Sequence, residues 1–340
     1  MAIKPPALRP ADTIGILAPS WCGPAIYPRR VERGVKFFES LGYRVVVARH
    51  TFGRRGVVSG TPEERVADIH DLFTDKSVRA IISAIGGGHS CHLLPTLDWA
   101  LIEQNPKIFM GFSDITVLNL AMYERTGLCT FYGPMVMTDF AEDPQPLSYT
   151  IEYLWRALCK SEPLGEIKPS VTWTDDFLYW ATEAPVTPPR ELGPSNGWTW
   201  LKLGEGCGRL IGGCIESMQH LRGTSYWPNM DGAVLFLETS EEKPSPTAVD
   251  AILQDYENMG VFKQIAGLLF GRPMGYTEDQ RAELRSVLLE RTARYSFPIV
   301  SDMDFGHTAP ILTLPIGCET QINGYEQRII IREAAVIGEP

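Results

Sequence analysis

Strand and helix signals alternate along the first part of the chain, and this alternation restricts the fold more than any other feature of the sequence. Short apolar runs at 13–20, 43–48 and 78–85 have the length and composition of buried strands. Helical patterns at 29–41 and 61–73 lie between them. The order strand, helix, strand, helix, strand is typical of a doubly wound, Rossmann- or flavodoxin-like parallel sheet. Such sheets bind ligands at the carboxyl ends of their strands.

Composition argues against several classes of protein. The 340-residue chain has a formal net charge of -10 and gathers no cluster of Lys and Arg, which argues against a nucleic-acid partner. Its seven cysteines are scattered without a C-x-x-C pair, so neither a disulfide framework nor a zinc site is indicated. No apolar run has the length of a membrane span, and the N-terminus lacks the apolar segment of a signal peptide. We therefore expect a cytoplasmic protein without a membrane segment.

The character of the chain changes between 144 and 196, where Pro, Trp and acidic residues are dense. We interpret this stretch as a crossing between domains that includes a long functional loop. The alternative is an ordered wrap whose aromatic residues only pack on the second domain. The predicted division is an N-terminal α/β domain at 1–165, a linker and substrate loop at 166–200, and a smaller C-terminal domain at 201–340. For the C-terminal domain we predict strands, including one at 311–314, and flanking helices.

A candidate nucleophile lies where an apolar run meets Gly111, Phe112 and Ser113, followed by a helical pattern. This arrangement predicts a strand-to-helix turn, where unpaired backbone amides can stabilise an anionic intermediate. A glycine two residues before the serine lets the chain turn sharply and expose the hydroxyl. The complete G-x-S-x-G pattern is absent because Ile115 takes its last position. Ser113 and Asp114 are also ordinary helix N-cap residues, so a purely structural role stays open.

A second loop of interest follows the strand at 78–85 and contains three consecutive glycines at 86–88. Consecutive glycines allow the backbone to approach a ligand and to direct amides at an anion. The alternative is a flexible turn between strand and helix. A dinucleotide site is not indicated, because Cys91 replaces the last glycine of G-x-G-x-x-G. His89 and His92 have no third metal ligand nearby and are interpreted as polar loop and helix residues.

A serine nucleophile needs a base, and the base needs a group that holds its tautomer. His307, in a loop between two apolar strands, and Glu238, at the end of another, are the candidates. The order Ser, acid, His occurs in one large class of hydrolases. Since the chain has six His and many carboxylates, chance also explains such an order.

Six short motifs, in this order, resemble the LD-carboxypeptidase and microcin C self-immunity family of serine peptidases. The resemblance extends from about residue 8 to about residue 317. The motifs are AIGGG at 84–88, GFSD at 111–114, FYGP at 131–134, LIGG at 210–213, FLE at 236–238 and DFGH at 304–307.

The resemblance implies a role for each of these residues. Ser113 is expected to be the nucleophile, His307 the general base and Glu238 the residue that orients it. The backbone amides of Asp114 and of Gly87 or Gly88 are expected to form the oxyanion hole. The family further implies a mostly β C-terminal domain, no metal or other cofactor, and a homodimer.

Two branches of the family differ in substrate. Immunity members detach an acidic aminoacyl group from a nucleotide-like moiety, whereas carboxypeptidase members cut L,D-linked murein tetrapeptides. Residues 238–246 and the Trp-bearing loop are more similar to the immunity branch. A non-catalytic ligand-binding protein is the third, least favoured reading.

Four residues are candidate substrate contacts. An aromatic residue of the long loop, Trp180 or else Trp173, is expected to stack on the nucleobase. Ser90 follows the glycine loop. Cys214 stands where relatives often have Asn, so an amide that would bind substrate is missing.

Overall fold

Two large β-sheets organise the chain, and the computed structural model describes residues 2–176 and 189–338. The strands are β1 (Thr13–Leu17), β2 (Arg44–Val47), β3 (Val78–Ser83), β4 (Ile108–Met110), β5 (Phe131–Tyr132), β6 (Gly165–Ile167), β7 (Thr172–Trp173), β8 (Gly193–Pro194), β9 (Thr199–Lys202), β10 (Glu205–Cys214), β11 (Val234–Glu238), β12 (Gly267–Gly271), β13 (Ile299–Met303), β14 (Leu314–Pro315), β15 (Glu319–Asn323) and β16 (Arg328–Ile331). The α-helices are α1 (Gly23–Ile26), α2 (Pro28–Ser40), α3 (Pro62–Thr74), α4 (Trp99–Gln104), α5 (Thr116–Thr126), α6 (Ser148–Cys159), α7 (Ile215–Met218), α8 (Pro246–Asn258), α9 (Val261–Gln264) and α10 (Glu278–Arg291). Short 3₁₀ helices span Ser90–Thr96, Ser113–Ile115 and Gln219–Leu221, and a π-helical turn spans Val136–Phe140.

The first sheet has the strand order β2-β1-β3-β4-β5-β14. Its first five strands are parallel, with helices in the connections between them. The prediction of a doubly wound parallel sheet is therefore confirmed. The carboxyl end of β3 leads into the glycine loop, and that of the neighbouring β4 leads to Ser113. Because parallel strands end at the same edge of a sheet, both predicted functional loops lie on one side.

The last strand of this sheet comes from the far end of the chain. Leu314 and Pro315 of β14 pair antiparallel with Tyr132 and Phe131 of β5. The sequence prediction placed a strand at 311–314 within the C-terminal domain, and the structure differs in both its bounds and its sheet. The reason is that β5 would otherwise be an open edge with unpaired backbone groups, which β14 covers.

The second sheet has the order β6-β16-β15-β10-β11-β12-β13-β9. Its four strands β10 to β13 are parallel and are joined through α7, α8, α9 and α10. The outer strands β9, β15, β16 and β6 pair antiparallel. A separate sheet with flanking helices is thus present in the C-terminal region, as predicted.

Helix α3 begins at the cap that its sequence predicts. The Thr61 hydroxyl accepts a hydrogen bond from the Glu64 N-H at 3.2 Å, and the Glu64 carboxylate accepts one from the Thr61 N-H at 2.8 Å. This capping box satisfies backbone donors that the first helical turn leaves unpaired. Pro62 at the first helical position needs no such partner.

The end of β10 contacts the first turn of α5, the helix that follows the predicted nucleophile. The Cys214 N-H donates to the Thr116 hydroxyl at 3.0 Å. Gly213 has φ +154, and a Cβ atom added to it would lie 2.4 Å from Thr116 Cγ2. A glycine is therefore required for the two sheets to approach each other here.

Among residues 2–176 and 189–338, no helix combines the length and the apolar character that crossing a membrane requires.

We expect Gly213→Ala to lower the free energy of unfolding by about 2 kcal/mol or more, because the new methyl group would overlap Thr116. Urea denaturation followed by circular dichroism measures this change. Gly232→Ala is the matched control, since Gly232 also has positive φ (+66) but has no atom within 4 Å of an added Cβ. It should cost only about 1 kcal/mol of backbone strain. Equal losses in the two variants would contradict the close contact.

Candidate active site

Ser113 follows β4 by three residues and has an unusual backbone. Its φ is +60, a region that non-glycine residues seldom adopt. Such strain is typical of a serine presented at a sharp strand-to-helix turn. The N-cap residues of the two successive helices here are Phe112 and Ile115, and neither helix has a side-chain cap. The Ser113 hydroxyl is therefore not used as a helix cap.

The glycine loop lies directly against this serine. A Cβ atom added to Gly86 would lie 3.1 Å from Ser113 Oγ and 3.4 Å from the Asp114 nitrogen. Gly87 has φ +144 and packs against Ser20, whereas a Cβ on Gly88 would meet no atom within 4 Å. The glycine loop and the Asp114 amide are thus neighbours, and Gly88 faces open space.

The Asp114 side chain holds the glycine loop in place. Its Oδ2 atom accepts hydrogen bonds from the His89 N-H at 3.0 Å, the Ser90 N-H at 2.9 Å and the Ser90 hydroxyl at 2.7 Å. Ser90, a predicted substrate contact, is fully buried and uses its hydroxyl in this network. The network fixes the backbone on which the predicted oxyanion hole depends.

Glu238 at the end of β11 is fully buried and is held by a residue of β5 and by one of the loop between β13 and β14. Its Oε1 accepts a hydrogen bond from the Tyr132 hydroxyl at 2.5 Å, and its Oε2 lies 2.8 Å from His307 Nδ1. Gly306 has φ +102, and a Cβ there would lie 2.4 Å from Glu238 Oε2. Only glycine allows the loop that carries His307 to approach the carboxylate this closely.

His307 lies between two carboxylates. Its Nδ1 contacts Glu238, while its Nε2 lies 2.8 Å from Glu241 Oε2. The second contact lacks the alignment of a hydrogen bond, so the buried Nε2 atom has no hydrogen-bond partner within the described residues. The ring of Phe112, the residue before Ser113, meets the imidazole edge to face at 5.0 Å. The structure therefore brings the predicted base and acid together and places the base beside the serine turn.

The charges of this cluster shift its titration. Burial raises the pKa of Glu238, and the nearby His307 opposes this rise. Burial alone would lower the pKa of His307, but Glu238 and Glu241 outweigh it and raise that pKa well above its usual value. For Tyr132, burial first and then Glu238 raise the pKa, so its phenol remains a hydrogen-bond donor. The imidazole between the two carboxylates is thus favoured in its protonated form.

Tyr132 is a site residue to which sequence reasoning assigned no role. It accepts the Ser113 N-H at 3.4 Å while donating to Glu238. The motif at 131–134 pointed to this segment, but a bond across two sheets cannot be seen in a local pattern.

A buried ion pair anchors the His307 loop and was also missed. Asp304 is fully buried and pairs with Arg272 at 2.9 Å. Its other oxygen accepts from the Ser170 N-H at 2.9 Å and from Trp198 Nε1 at 2.7 Å. The only sequence feature that pointed to this ion pair was Asp304, the first residue of the motif at 304–307.

Of the two candidate tryptophans, the structure describes Trp173. Trp180 lies outside the described residues. The half-buried Trp173 ring has the Arg272 guanidinium 4.7 Å and the Arg281 guanidinium 4.6 Å from its centroid. Trp173 is thus engaged in cation-π contacts with two arginines.

Cys214 is fully buried at the end of β10, opposite Glu238 in the parallel register. Its thiol lies 3.4 Å from Glu216 Oε2. Glu216 also accepts hydrogen bonds from the N-H and hydroxyl of Ser240, so it ties the loop after β11 to the end of β10.

A small pocket of about 60 Å³ opens beside His307. Its lining includes Phe112, Asp139, Asp176, Arg190 and His307. Arg190 is already neutralised by two contacts with Glu142, at 3.0 Å and 2.6 Å. Within the part of the chain that the structure describes, no group of three or more His, Cys, Asp or Glu side chains could hold a metal ion.

A strained serine beside a glycine loop, with a histidine that contacts a buried glutamate, is the arrangement of a serine hydrolase. Two family models match this chain: the LD-carboxypeptidase N-terminal domain at residues 14–133 and the LD-carboxypeptidase C-terminal domain at residues 207–322. The chain belongs to the LD-carboxypeptidase family of serine peptidases.

Curated relatives align over almost the whole chain. A putative carboxypeptidase of Treponema pallidum is 32% identical over 93% of this chain and 91% of its own. A probable murein peptide carboxypeptidase of Bacillus subtilis is 30% identical, covering 98% and 95%. The microcin C7 self-immunity protein MccF of Escherichia coli is 30% identical, covering 95% and 93%.

Several solved structures also match this chain over almost its whole length. MccF in complex with glutamyl sulfamoyl guanosine has a TM-score of 0.89 at 29% identity, with 98% of this chain and 99% of that chain covered. The complex of MccF with aspartyl sulfamoyl adenosine gives the same values. An MccF-like protein from Bacillus anthracis has a TM-score of 0.90 at 32% identity, covering 98% and 100%.

We expect Tyr132→Phe to lower the free energy of unfolding by about 1–3 kcal/mol, because the buried Glu238 carboxylate would lose one of its two donors. Urea denaturation measures the change. Tyr256→Phe is the matched control, since the buried Tyr256 hydroxyl has no hydrogen-bond partner within the described residues and its loss should be neutral or stabilising. A neutral Tyr132→Phe would argue against the bond to Glu238.

Proposed function

We propose that this protein is a hydrolase of the immunity type, which uses Ser113, His307 and Glu238 to cleave an amide bond in an aminoacyl or peptidyl nucleotide. Its role would be detoxification or self-immunity. The observation that carries this proposal is the likeness, over 98% of the chain, to MccF bound to aminoacyl sulfamoyl nucleosides. The contact of His307 with the buried Glu238 supports the assignment of the base.

The proposed reaction begins with attack of Ser113 Oγ on the scissile carbonyl carbon. His307 Nε2 takes the hydroxyl proton, and Glu238 holds the proton on Nδ1 and stabilises the imidazolium that forms. His307 then returns the proton to the leaving nitrogen as the C-N bond breaks. Water, deprotonated by the same base, releases the acyl group from the serine.

The negative charge of the tetrahedral intermediate requires preorganised donors. We assign this role to the backbone amides of Asp114 and of Gly87 or Gly88. The support is the packing of the glycine loop against Ser113 and the carboxylate of Asp114 that holds the loop. Such a donor is typically worth about 3 kcal/mol of transition-state stabilisation.

The alternative function is that of an LD-carboxypeptidase acting on L,D-linked murein tetrapeptides in cell-wall recycling. The relative from Bacillus subtilis, a probable murein peptide carboxypeptidase that aligns over 98% of this chain, favours it. The triad would be unchanged, and only the groups on either side of the amide would differ.

A paired turnover assay separates the two functions and tests the serine. We expect the wild type to cleave aspartyl or glutamyl sulfamoyl adenosine and to leave an L,D-linked tetrapeptide intact. Ser113→Ala should reduce turnover by at least about 10³-fold while it retains ligand binding.

Ser286→Ala, an exposed serine on α10, is the matched control and should keep full activity. Release of D-alanine alone would move the protein to cell-wall recycling. Activity of Ser113→Ala would refute the serine mechanism itself.

We further infer a homodimer in the cytoplasm. The family resemblance suggests the dimer, and the seven free thiols support a reducing compartment. Cys129 and Cys318 form no disulfide, although their sulfur atoms are 3.8 Å apart in a thiol–thiol contact. Light scattering on the purified protein should give twice the mass of one chain. A mass equal to that of one chain would exclude the dimer.

A further inference from the structure

Glu241 occupies the reacting edge of the proposed base. It lies three residues after Glu238, in the loop that follows β11, and its Oε2 is 2.8 Å from His307 Nε2. Its side chain is 43% exposed, whereas that of His307 is 8% exposed. The carboxylate therefore lies between the buried imidazole and solvent.

This contact does not suit a working base. With its proton on Nδ1 facing Glu238, the neutral imidazole presents a lone pair at Nε2. A carboxylate oxygen at 2.8 Å is also an acceptor, so the two would repel each other. The contact is favourable only while His307 is protonated and unable to accept the serine proton. Catalysis therefore requires that the Glu241 carboxylate acquire another partner.

The described residues offer Glu241 no such partner. Its only ion pair is the one with His307, and no Lys or Arg of residues 2–176 and 189–338 pairs with it. Arg190, the guanidinium in the adjoining pocket, is occupied by Glu142. When His307 is neutral, the site thus carries a carboxylate without a cationic partner among the described residues, which a cationic group of a ligand would neutralise.

We propose that Glu241 binds the free α-ammonium group of the aminoacyl substrate and thereby selects for it. This inference rests on the proposed function. In an aminoacyl compound the ammonium is borne by the carbon next to the scissile carbonyl. It must therefore lie within a few ångströms of Ser113 and His307 during attack, and Glu241 is the partly exposed carboxylate that lies 2.8 Å from His307 Nε2.

The proposal distinguishes between substrate classes. In a peptidyl nucleotide or a murein peptide, the corresponding nitrogen is a neutral amide, which cannot neutralise Glu241. A free aminoacyl nucleotide would bind the carboxylate and draw it away from Nε2, so binding and activation of the base are coupled. Substrate recognition would then favour fully processed aminoacyl nucleotides.

Other charged groups near the His307 imidazole also influence its pKa. Glu238 contacts Nδ1, and the pocket beside the ring carries Asp139, Asp176 and the paired Arg190. Burial raises the pKa of Asp139. All of these groups are unchanged when only Glu241 is replaced.

The test compares aspartyl sulfamoyl adenosine with its N-acetyl derivative in wild type, Glu241→Gln and Glu242→Gln. Glu242 is the matched control, an exposed neighbour that is not among the ion-pair partners of His307 within the described residues, Glu238 and Glu241. We expect wild type and Glu242→Gln to prefer the free amine by about 10- to 100-fold in kcat/KM, as for a charged hydrogen bond. Glu241→Gln should lose this preference through a higher KM for the free amine.

The pH profile provides a readout that a structural role would not change. Removing a negative charge beside His307 lowers its pKa, and the base must be neutral to act. The acid limb of kcat/KM for the N-acetyl compound should therefore move to lower pH in Glu241→Gln. An unmoved limb, or a preference retained in this variant, would overturn the proposal.

A binding measurement separates this inference from the hydrolase function. Calorimetry with Ser113→Ala should give tighter binding of the free amine than of the N-acetyl compound, and the double variant with Glu241→Gln should not. Equal affinities in Ser113→Ala would refute the Glu241 subsite even if wild type is active. Absence of turnover in wild type, with the affinity difference intact, would refute only the proposed hydrolysis.

Discussion

A carboxylate with no exposure to solvent, Glu238, is the constraint on which the two-sheet arrangement depends. A buried charge is costly unless it is paired and hydrogen-bonded. Its two oxygens are satisfied by Tyr132 of β5 in the first sheet and by His307 in the loop between β13 and β14. Because Glu238 itself ends β11 of the second sheet, the group that orients the proposed base also couples the two sheets. The same hydrogen-bonded carboxylate therefore contributes to the stability of the fold and to the geometry of the site.

Short sequence patterns predicted the features that depend on interactions between residues close together in the chain. Apolar runs predicted β1 to β4 of the first sheet, and the capping residues Thr61 and Glu64 predicted where α3 begins. The ordered motifs pointed to Ser113, Glu238 and His307, which the structure brings to one region. The register of β14 was not predictable, because its pairing with β5 joins segments about 180 residues apart in the sequence, where no short-range period operates. The contact of Glu241 with His307 depends on a loop conformation that no periodicity encodes.

Rigid groups surround the proposed base, His307, whose contacts favour its protonated form. The pair of Asp304 with Arg272 fixes the histidine loop, and Asp114 fixes the glycine loop. Preorganisation of this kind keeps donors in position without reorganisation during the reaction. Glu241 differs, because it is exposed and belongs to a loop anchored through Ser240 and Glu216. The site therefore combines a fixed scaffold with one carboxylate whose partner can change.

The strand β14 also bears on how the molecule is made. A ribosome synthesises the first five strands of the first sheet long before it reaches residues 314 and 315, which close that sheet. The nascent N-terminal part therefore carries an open β5 edge, which exposes it to mispairing until those residues emerge. His307 emerges only shortly before β14. Closure of the sheet and delivery of the proposed base are thus nearly simultaneous events, so a chain truncated before them would lack both.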